Sequence, residues 1–362
     1  MKRDVLLPRR AFILGGAAAL SGCGGRGRFA VAETRASGAG TQTLFVATSR
    51  AADPAPIAYG PGRGNGLDFA RLTVSIPSSH RIGNIEWPRG AEIDPATDFA
   101  LVGAEMLNGP DGLVQAVRAS RGDGDEETVL FVHGYNTNFA EGVYRHAQIA
   151  WDYGLSGPQI HFAWASAAEP FGYTYDRDSA LIARDDLADL IAGLVRESGL
   201  RLSIVGHSMG AFLVMEALRQ IALSRDDTRL DRLAGVALIS PDIDIDLFRA
   251  QAEMLDSLPQ PFIVAVARND RLLRLSSRLA RGQTRLGTVD DLALLEGLGI
   301  VVIDMTELGN GGANHFLPGT SASAIALIRG LREVGAAEIP NVTIGPVRID
   351  LGSVQAATIA SR

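Results

Sequence analysis

Cysteine is almost absent: Cys23 is the only one in 362 residues. A lone thiol excludes an internal disulfide framework and any zinc site built on cysteine pairs, so packing must hold the folded body together. The apolar stretch 11–20 is about half the roughly 20 residues that a membrane-spanning helix needs. No block of Lys or Arg occurs beyond the N-terminal segment, and the net charge is −7. Nucleic acid is therefore not an expected partner. What remains is a chain of 46% hydrophobic and 21% charged residues. At this length it can bury a large core, as one α/β domain with additions or as two small domains.

The start of the chain is basic, with Lys2, Arg3, Arg9 and Arg10 against Asp4. A small, apolar run follows and ends in Leu20-Ser21-Gly22-Cys23. That string resembles a bacterial lipobox, in which the cysteine becomes the lipid-modified first residue. The run Arg9-Arg10-Ala11-Phe12-Ile13-Leu14 resembles a twin-arginine export signal, with Pro8 where Ser or Thr is usual, so the export route stays open. The resemblance implies a signal peptide over 1–22, a lipid on Cys23 and a membrane-anchored location in the bacterial cell envelope. The competing reading is a buried N-terminal helix with a core cysteine. Residues 23–42 are rich in Gly, Ala, Arg and Ser and are expected to form a flexible tether with a reach on the order of 25 Å.

The folded region is expected over 43–335. Its first third offers strands at 43–48, 69–76 and 81–87, separated by Pro and Gly, and is expected to form an antiparallel edge. From residue 127 the rhythm changes. Short apolar strands at 128–132, 159–164, 202–205, 235–239, 262–267 and 299–304 alternate with helical stretches at 140–153, 179–197, 209–223, 247–255, 271–281 and 321–334. This alternation predicts a mostly parallel sheet covered by helices on both faces. Ligands of such sheets bind at the carboxyl ends of the strands. The tail 336–362 carries Pro340 and Pro346 among Ile and Val, and either adds edge strands or stays loose.

At one strand end the chain reads Gly206-His207-Ser208-Met209-Gly210. Leu202, Ile204 and Val205 precede it as a buried strand would, and Ala211, Phe212, Leu213, Met215 and Leu218 follow with helical character. The pattern fits the nucleophile elbow of α/β hydrolases, a strained turn that lifts Ser208 out of the backbone and needs small residues two before and two after it. A serine nucleophile needs a base, and the base needs an orienting acid. Of six histidines only His315 follows Ser208, in the loop Asn314-His315-Phe316 between the last apolar strand and the last helix. His207 is expected to point away from the serine, and His146 to be a surface or packing residue. The acid is expected at Asp270, just past the strand 262–267, with Asp242 as runner-up and a helix N-cap as the bland role for Asp270. Asp242, Asp244 and Asp246 echo a calcium loop, but Leu247 stands where that loop needs glycine, so Asp246 is read as a helix cap and no metal is expected.

The strand 128–132 breaks into His133-Gly134-Tyr135-Asn136. A His-Gly turn at this place supplies one oxyanion-hole donor and the residue after the nucleophile supplies the other, which predicts the N–H groups of Tyr135 and Met209. Trp164, Phe171, Tyr173 and Tyr175 either wall a substrate pocket or belong to the core.

Together VLFVHGYNTNF, FAWAS, YDRDSA, GHSMG, ARND and NHF resemble a bacterial α/β-hydrolase family of unknown specificity, over about residues 43–334. The resemblance implies the α/β-hydrolase fold, Ser208 with Asp270 and His315, and no cofactor. The expected activity is cleavage of an ester-type or lipid-like substrate through an acyl-enzyme. A thioesterase or peptidase with the same triad, and a catalytically silent envelope binding protein, remain as alternatives.

Overall fold

The computed structural model describes residues 27–53, 58–88, 93–122, 126–197, 200–224, 227–279, 282–309, 312–334, 343–344 and 347–350. Cys23 and the lipobox lie outside them.

The chain opens with β1 (Gly40–Ala52), β2 (Tyr59–Ile76), β3 (Ala100–Met106) and α1 (Gly109–Ala119). Strand–helix alternation then runs through β4 (Glu127–Val132), α2 (Phe139–Asp152), β5 (Gln159–Ala163), α3 (Tyr173–Ile182), α4 (Arg184–Arg196), β6 (Arg201–His207) and α5 (Met209–Leu223). It continues through β7 (Leu233–Ile239), α6 (Ile245–Glu253), β8 (Phe262–Val266), α7 (Arg271–Leu279) and β9 (Ile300–Asp304). The chain closes with α8 (Leu317–Thr320), α9 (Ala322–Val334), β10 (Thr343–Ile344) and β11 (Val347–Asp350).

All strands join one sheet in the order β10-β11-β9-β8-β7-β6-β4-β5-β1-β2-β3. The six strands expected from residue 127 onward are β4 to β9, and each pairs in parallel with its neighbours among them. Their near-continuous apolar character follows from burial on both faces. Leu130, Ile160, Ile204, Leu238 and Val264 point into a core shared with α1, α4, α5 and α6. On the opposite face α2 packs Val143, Tyr144 and Ala147 against Leu44, Val46 and Leu72.

The first third forms the expected antiparallel edge: β1 pairs antiparallel with β2 and β2 with β3, while the other side of β1 joins the sheet as a parallel neighbour of β5. Residues 81–87, expected as a strand, form a loop in which Trp87 packs on Tyr144, 5.2 Å between ring centroids. The region expected as a tether is drawn onto the body from Gly27 onward. Ala30 is buried and its N–H donates to Tyr144 Oη at 3.0 Å, and Phe29 packs edge-on to Phe139 and Tyr144. In the tail, β11 pairs antiparallel with β9.

Candidate active site

The elbow is built as its sequence requires. β6 ends at His207, α5 begins at Met209, and Ser208 between them holds φ 54° and ψ −119°. A non-glycine residue at positive φ is strained, and here neighbouring strands pin it. Ser208 N–H donates to Ile239 O at 2.9 Å, and Ser208 O accepts from Asp242 N–H at 3.2 Å. Gly210 explains itself by distance: a Cβ there would lie 2.3 Å from His133 O and 2.4 Å from Val132 O. The helix start therefore presses on the end of β4, which brings the HGYN turn against Ser208.

That turn follows β4 directly. A Cβ on Gly134 would lie 3.0 Å from Ser208 Cβ and 2.7 Å from His207 Nδ1, so only glycine fits. His133 Nδ1–H donates to Gly134 O at 2.9 Å; because a carbonyl only accepts, the proton sits on Nδ1. Asn136 holds φ 55°. Its N–H donates to Asp176 Oδ2 at 3.1 Å, and Thr137 N–H donates to Ser166 Oγ at 3.1 Å. Asp176, on α3, is fully buried and also accepts from Ser166 Oγ–H (2.6 Å) and Ala167 N–H (2.6 Å). A capping box then starts α2: Asn138 Oδ1 accepts from Glu141 N–H, and Glu141 Oε2 from Asn138 N–H. The Tyr135 and Met209 N–H groups have no hydrogen-bond partner among the described residues.

His315 and Asp270 meet although they are 45 residues apart in the chain. His315 Nδ1 lies 2.7 Å from Asp270 Oδ2. Asp270 is fully buried, and its Oδ1 accepts from the N–H groups of Leu272 (2.9 Å) and Leu273 (3.0 Å). The contact with His315 and the helix cap, weighed as alternatives from sequence, are made by different oxygens of one carboxyl group. The His315 loop is moored to the body at several points. Asn314 holds φ 55°, Arg271 N–H donates to Ala313 O, Tyr153 Oη–H donates to Pro318 O (2.8 Å), and Arg145 Nη1 to Gly319 O (3.0 Å).

His207 does not point away. Its ring stacks on Phe316 at 3.9 Å and lies 4.9 Å from the His315 ring, centroid to centroid. This places the residue before Ser208 against the imidazole loop. Burial, and then the neighbouring His315, push His207 well below the ordinary histidine range.

Asp242 is engaged elsewhere. Its Oδ1 pairs with Arg285 Nε (3.2 Å) and accepts from Ser276 Oγ–H (2.7 Å), and its Oδ2 accepts from Tyr173 Oη–H (3.0 Å). The cap of α6 is Asp244 rather than Asp246: its Oδ1 accepts from the N–H groups of Asp246 and Leu247. Trp164 is core, stacked on His133 at 5.0 Å with Nε1–H donating to His133 O. Phe171 is exposed, and Tyr175 stands on the surface under Arg63.

Three further histidines lie in the interior. His133, His146 and His161 are buried; His161 stacks on His133 and on Phe131, Phe131 stacks on His146, and His146 lies tilted against His161, with ring centroids 5.0 to 6.0 Å apart. Burial lowers His133 and His146 to about 3, and lowers His161 well below its ordinary value. Stacked rings do not aim nitrogens at a common point, and no group of His, Cys, Asp or Glu side chains among the described residues is arranged to hold a metal. A cavity of about 300 Å³ borders His207, the residue before Ser208, and is also lined by Gly134, Phe316, Trp87 and Arg145.

Asp176 and the Asp242–Arg285 pair escaped the sequence reading of roles. Asp176 sits within YDRDSA, so its signal was present as part of a motif but without an assigned part.

The model of the family described as "Alpha/beta hydrolase of unknown function (DUF900)" matches residues 114–331. The chain belongs to that family. The family thus spans the stretch from α1 to α9 that carries every candidate catalytic residue. No curated protein matches the chain. Among solved structures it is similar to a dienelactone hydrolase from Anabaena variabilis, at 13% identity and TM-score 0.36, covering 77% of this chain and 97% of that one. It is also similar to a thermostable esterase from Pseudomonas putida, at 16% identity and TM-score 0.36, covering 90% and 88%. A metagenomic carboxyl esterase follows at 14% identity and TM-score 0.33, covering 71% and 85%. Likenesses this distant carry nothing about substrate.

Proposed function

We propose that the protein is a serine hydrolase that cleaves carboxylic esters through an acyl-enzyme. The reading rests on one observation above the rest: an imidazole held at 2.7 Å by a buried aspartate, on a loop packed against the residue preceding a serine at positive φ. Asp270 fixes Nδ1 of His315 as the protonated nitrogen, leaving Nε2 to act as base. In the first step His315 Nε2 takes the Ser208 hydroxyl proton as Oγ bonds to the substrate carbonyl carbon. The developing oxyanion is met by the N–H groups of Tyr135 and Met209, where loss of one donor typically costs about 3–4 kcal/mol of barrier. The C–O bond to the leaving group then breaks, and the proton on Nε2 passes to the departing alkoxide. Water repeats the sequence on the acyl-enzyme, giving its proton to His315 and releasing the acid and free Ser208.

Hydrolysis of a panel of p-nitrophenyl esters of graded acyl length tests this reading. Turnover by wild type and none by Ser208→Ala is expected. A folded wild type that hydrolyses no member contradicts it.

We further propose that Cys23 carries a lipid and anchors the protein in the bacterial envelope. The expected outcome is release of Cys23→Ser from the membrane fraction.

A further inference from the structure

α7 starts at Arg271, the residue after Asp270, and its nine residues RLLRLSSRL include no acid. Leu273 and Ser276 are buried. At 100° per residue the outer surface divides into two stripes. Arg271, Arg274 and Arg278 form one, all exposed, and none makes an ion pair among the described residues. Leu272 and Leu275 form the other, 49% and 54% exposed. Two adjacent exposed leucines thus lie beside arginines without an ion-pair partner among the described residues, Arg274 donating only to the Arg268 carbonyl at 2.9 Å, on a chain whose net charge is −7.

Two further features share this rim. Phe171, 95% exposed, stands two residues before Tyr173, whose Oη lies 3.3 Å from Ser276 Oγ on α7. The chain also enters the body at the carboxyl end of the sheet: Asn138 Nδ2–H donates to Gly27 O (2.8 Å) and Gly27 N–H to Glu141 Oε1 (3.2 Å). Only residues 24–26 separate Cys23 from this mooring, a reach on the order of 10 Å when extended. An anchor at Cys23 would hold the same end of the sheet that carries Ser208 and the start of α7 close to a bilayer.

We propose that α7 is a docking face for an anionic phospholipid surface, its leucines entering the acyl boundary and its arginines meeting headgroup phosphates. Guanidinium suits phosphate because its planar fork donates two parallel hydrogen bonds. Side-by-side basic and apolar stripes are what an interfacial helix needs. The proposal does not depend on ester hydrolysis, and it uses the lipid anchor only for orientation.

The test uses the full chain as Cys23→Ser, so that no lipid is attached, with sedimentation on vesicles of phosphatidylcholine alone or with about 30 mol% phosphatidylglycerol. Binding is expected to rise with phosphatidylglycerol and to fall with salt. Each arginine removed should weaken partitioning about fivefold. The triple variant R271E/R274E/R278E should therefore lose the phosphatidylglycerol-dependent increment, and L272S/L275S should also lose it, with thermal melts showing both variants folded. Equal binding to both vesicle types, or binding unchanged in either variant, overturns the proposal and assigns attachment to the apolar N-terminal run. No vesicle binding, with self-association lost in L272S/L275S, also overturns it, in favour of a second copy as the occupant.

Discussion

Asp270 holds His315 through one carboxylate oxygen, Oδ2 to Nδ1 at 2.7 Å, while its other oxygen caps α7 through the N–H groups of Leu272 and Leu273. The buried carboxyl group is thereby fixed through both of its oxygens. The His315 imidazole is held by the same residue that caps the next helix.

Exchange of the two aspartates that compete for the acid role should separate chemistry from stability. Asp270→Asn is expected to lower kcat by about 10⁴, because an amide no longer selects the correct imidazole tautomer. Asp242→Asn is expected to keep most activity but to lose about 3–5 kcal/mol of stability, since buried Arg285 loses its counter-charge. Ester turnover and urea melts on both variants check this; the reverse ordering would make Asp242 the acid.

Gly134→Ala is expected to lower turnover on the order of 10²-fold. The added methyl would lie 3.0 Å from Ser208 Cβ, and the adjustment must displace either the serine or the oxyanion turn. A shift of about 1 Å is enough for a loss on the order of 10²-fold. Single-turnover rates give the size of the effect, and wild-type rates in this variant would remove the turn from the mechanism.

Asp176 acts on the same turn from the other side. Its carboxylate receives the Asn136 N–H and, through Ser166, steadies Thr137. Asp176→Asn is expected to lower kcat on the order of 10- to 100-fold with KM little changed, because the turn's aim and not substrate binding is disturbed. Equal changes in kcat and KM would mark a merely structural residue.

Stability should depend on pH with two opposite contributions. His133, His146 and His161 are held neutral by burial, so the unfolded chain binds more protons at low pH. Their stabilisation is complete above the unfolded value near 6.5 and falls below it, by about 1.4 kcal/mol per histidine per pH unit. His80 behaves oppositely. Burial lowers it, but hydrogen bonds to Asp152 and Glu86, each 2.8 Å, outweigh burial and raise it. Its contribution is present below the unfolded value and is lost as pH rises through the raised one. Urea melts from acid to alkaline pH should show a steep acid loss, softened in His146→Gln, and a shallower alkaline loss absent in His80→Ala. Flat profiles would contradict both assignments.

How much was legible in the sequence depended on how locally each feature is determined. The helix expected over 209–223 is α5, Met209–Leu223, because the elbow fixes its start and its apolar run its length. β3 was missed because Gly103 to Met106 turn outward and break any apolar run. The stretch 179–197 read as one helix is divided at Ala183 into α3 and α4. The apparent tether joined the body through Phe29 and Ala30, two residues whose partners lie more than 100 positions away. Asp242, His80 and Asp176 likewise find partners that the fold brings to them, Tyr173, Asp152 and Asn136, at 69, 72 and 40 positions away. The meeting of His315 with Asp270 was legible because only one histidine follows Ser208 in the chain and an aspartate stands just past the strand 262–267.

The most direct measurement is labelling with a fluorophosphonate probe, followed by mass spectrometry of the modified peptide. The account predicts a single adduct on Ser208 in wild type, none in Ser208→Ala, and slowed labelling in Asp270→Asn. Folded wild type that takes no label, or an adduct that persists in Ser208→Ala, would contradict it.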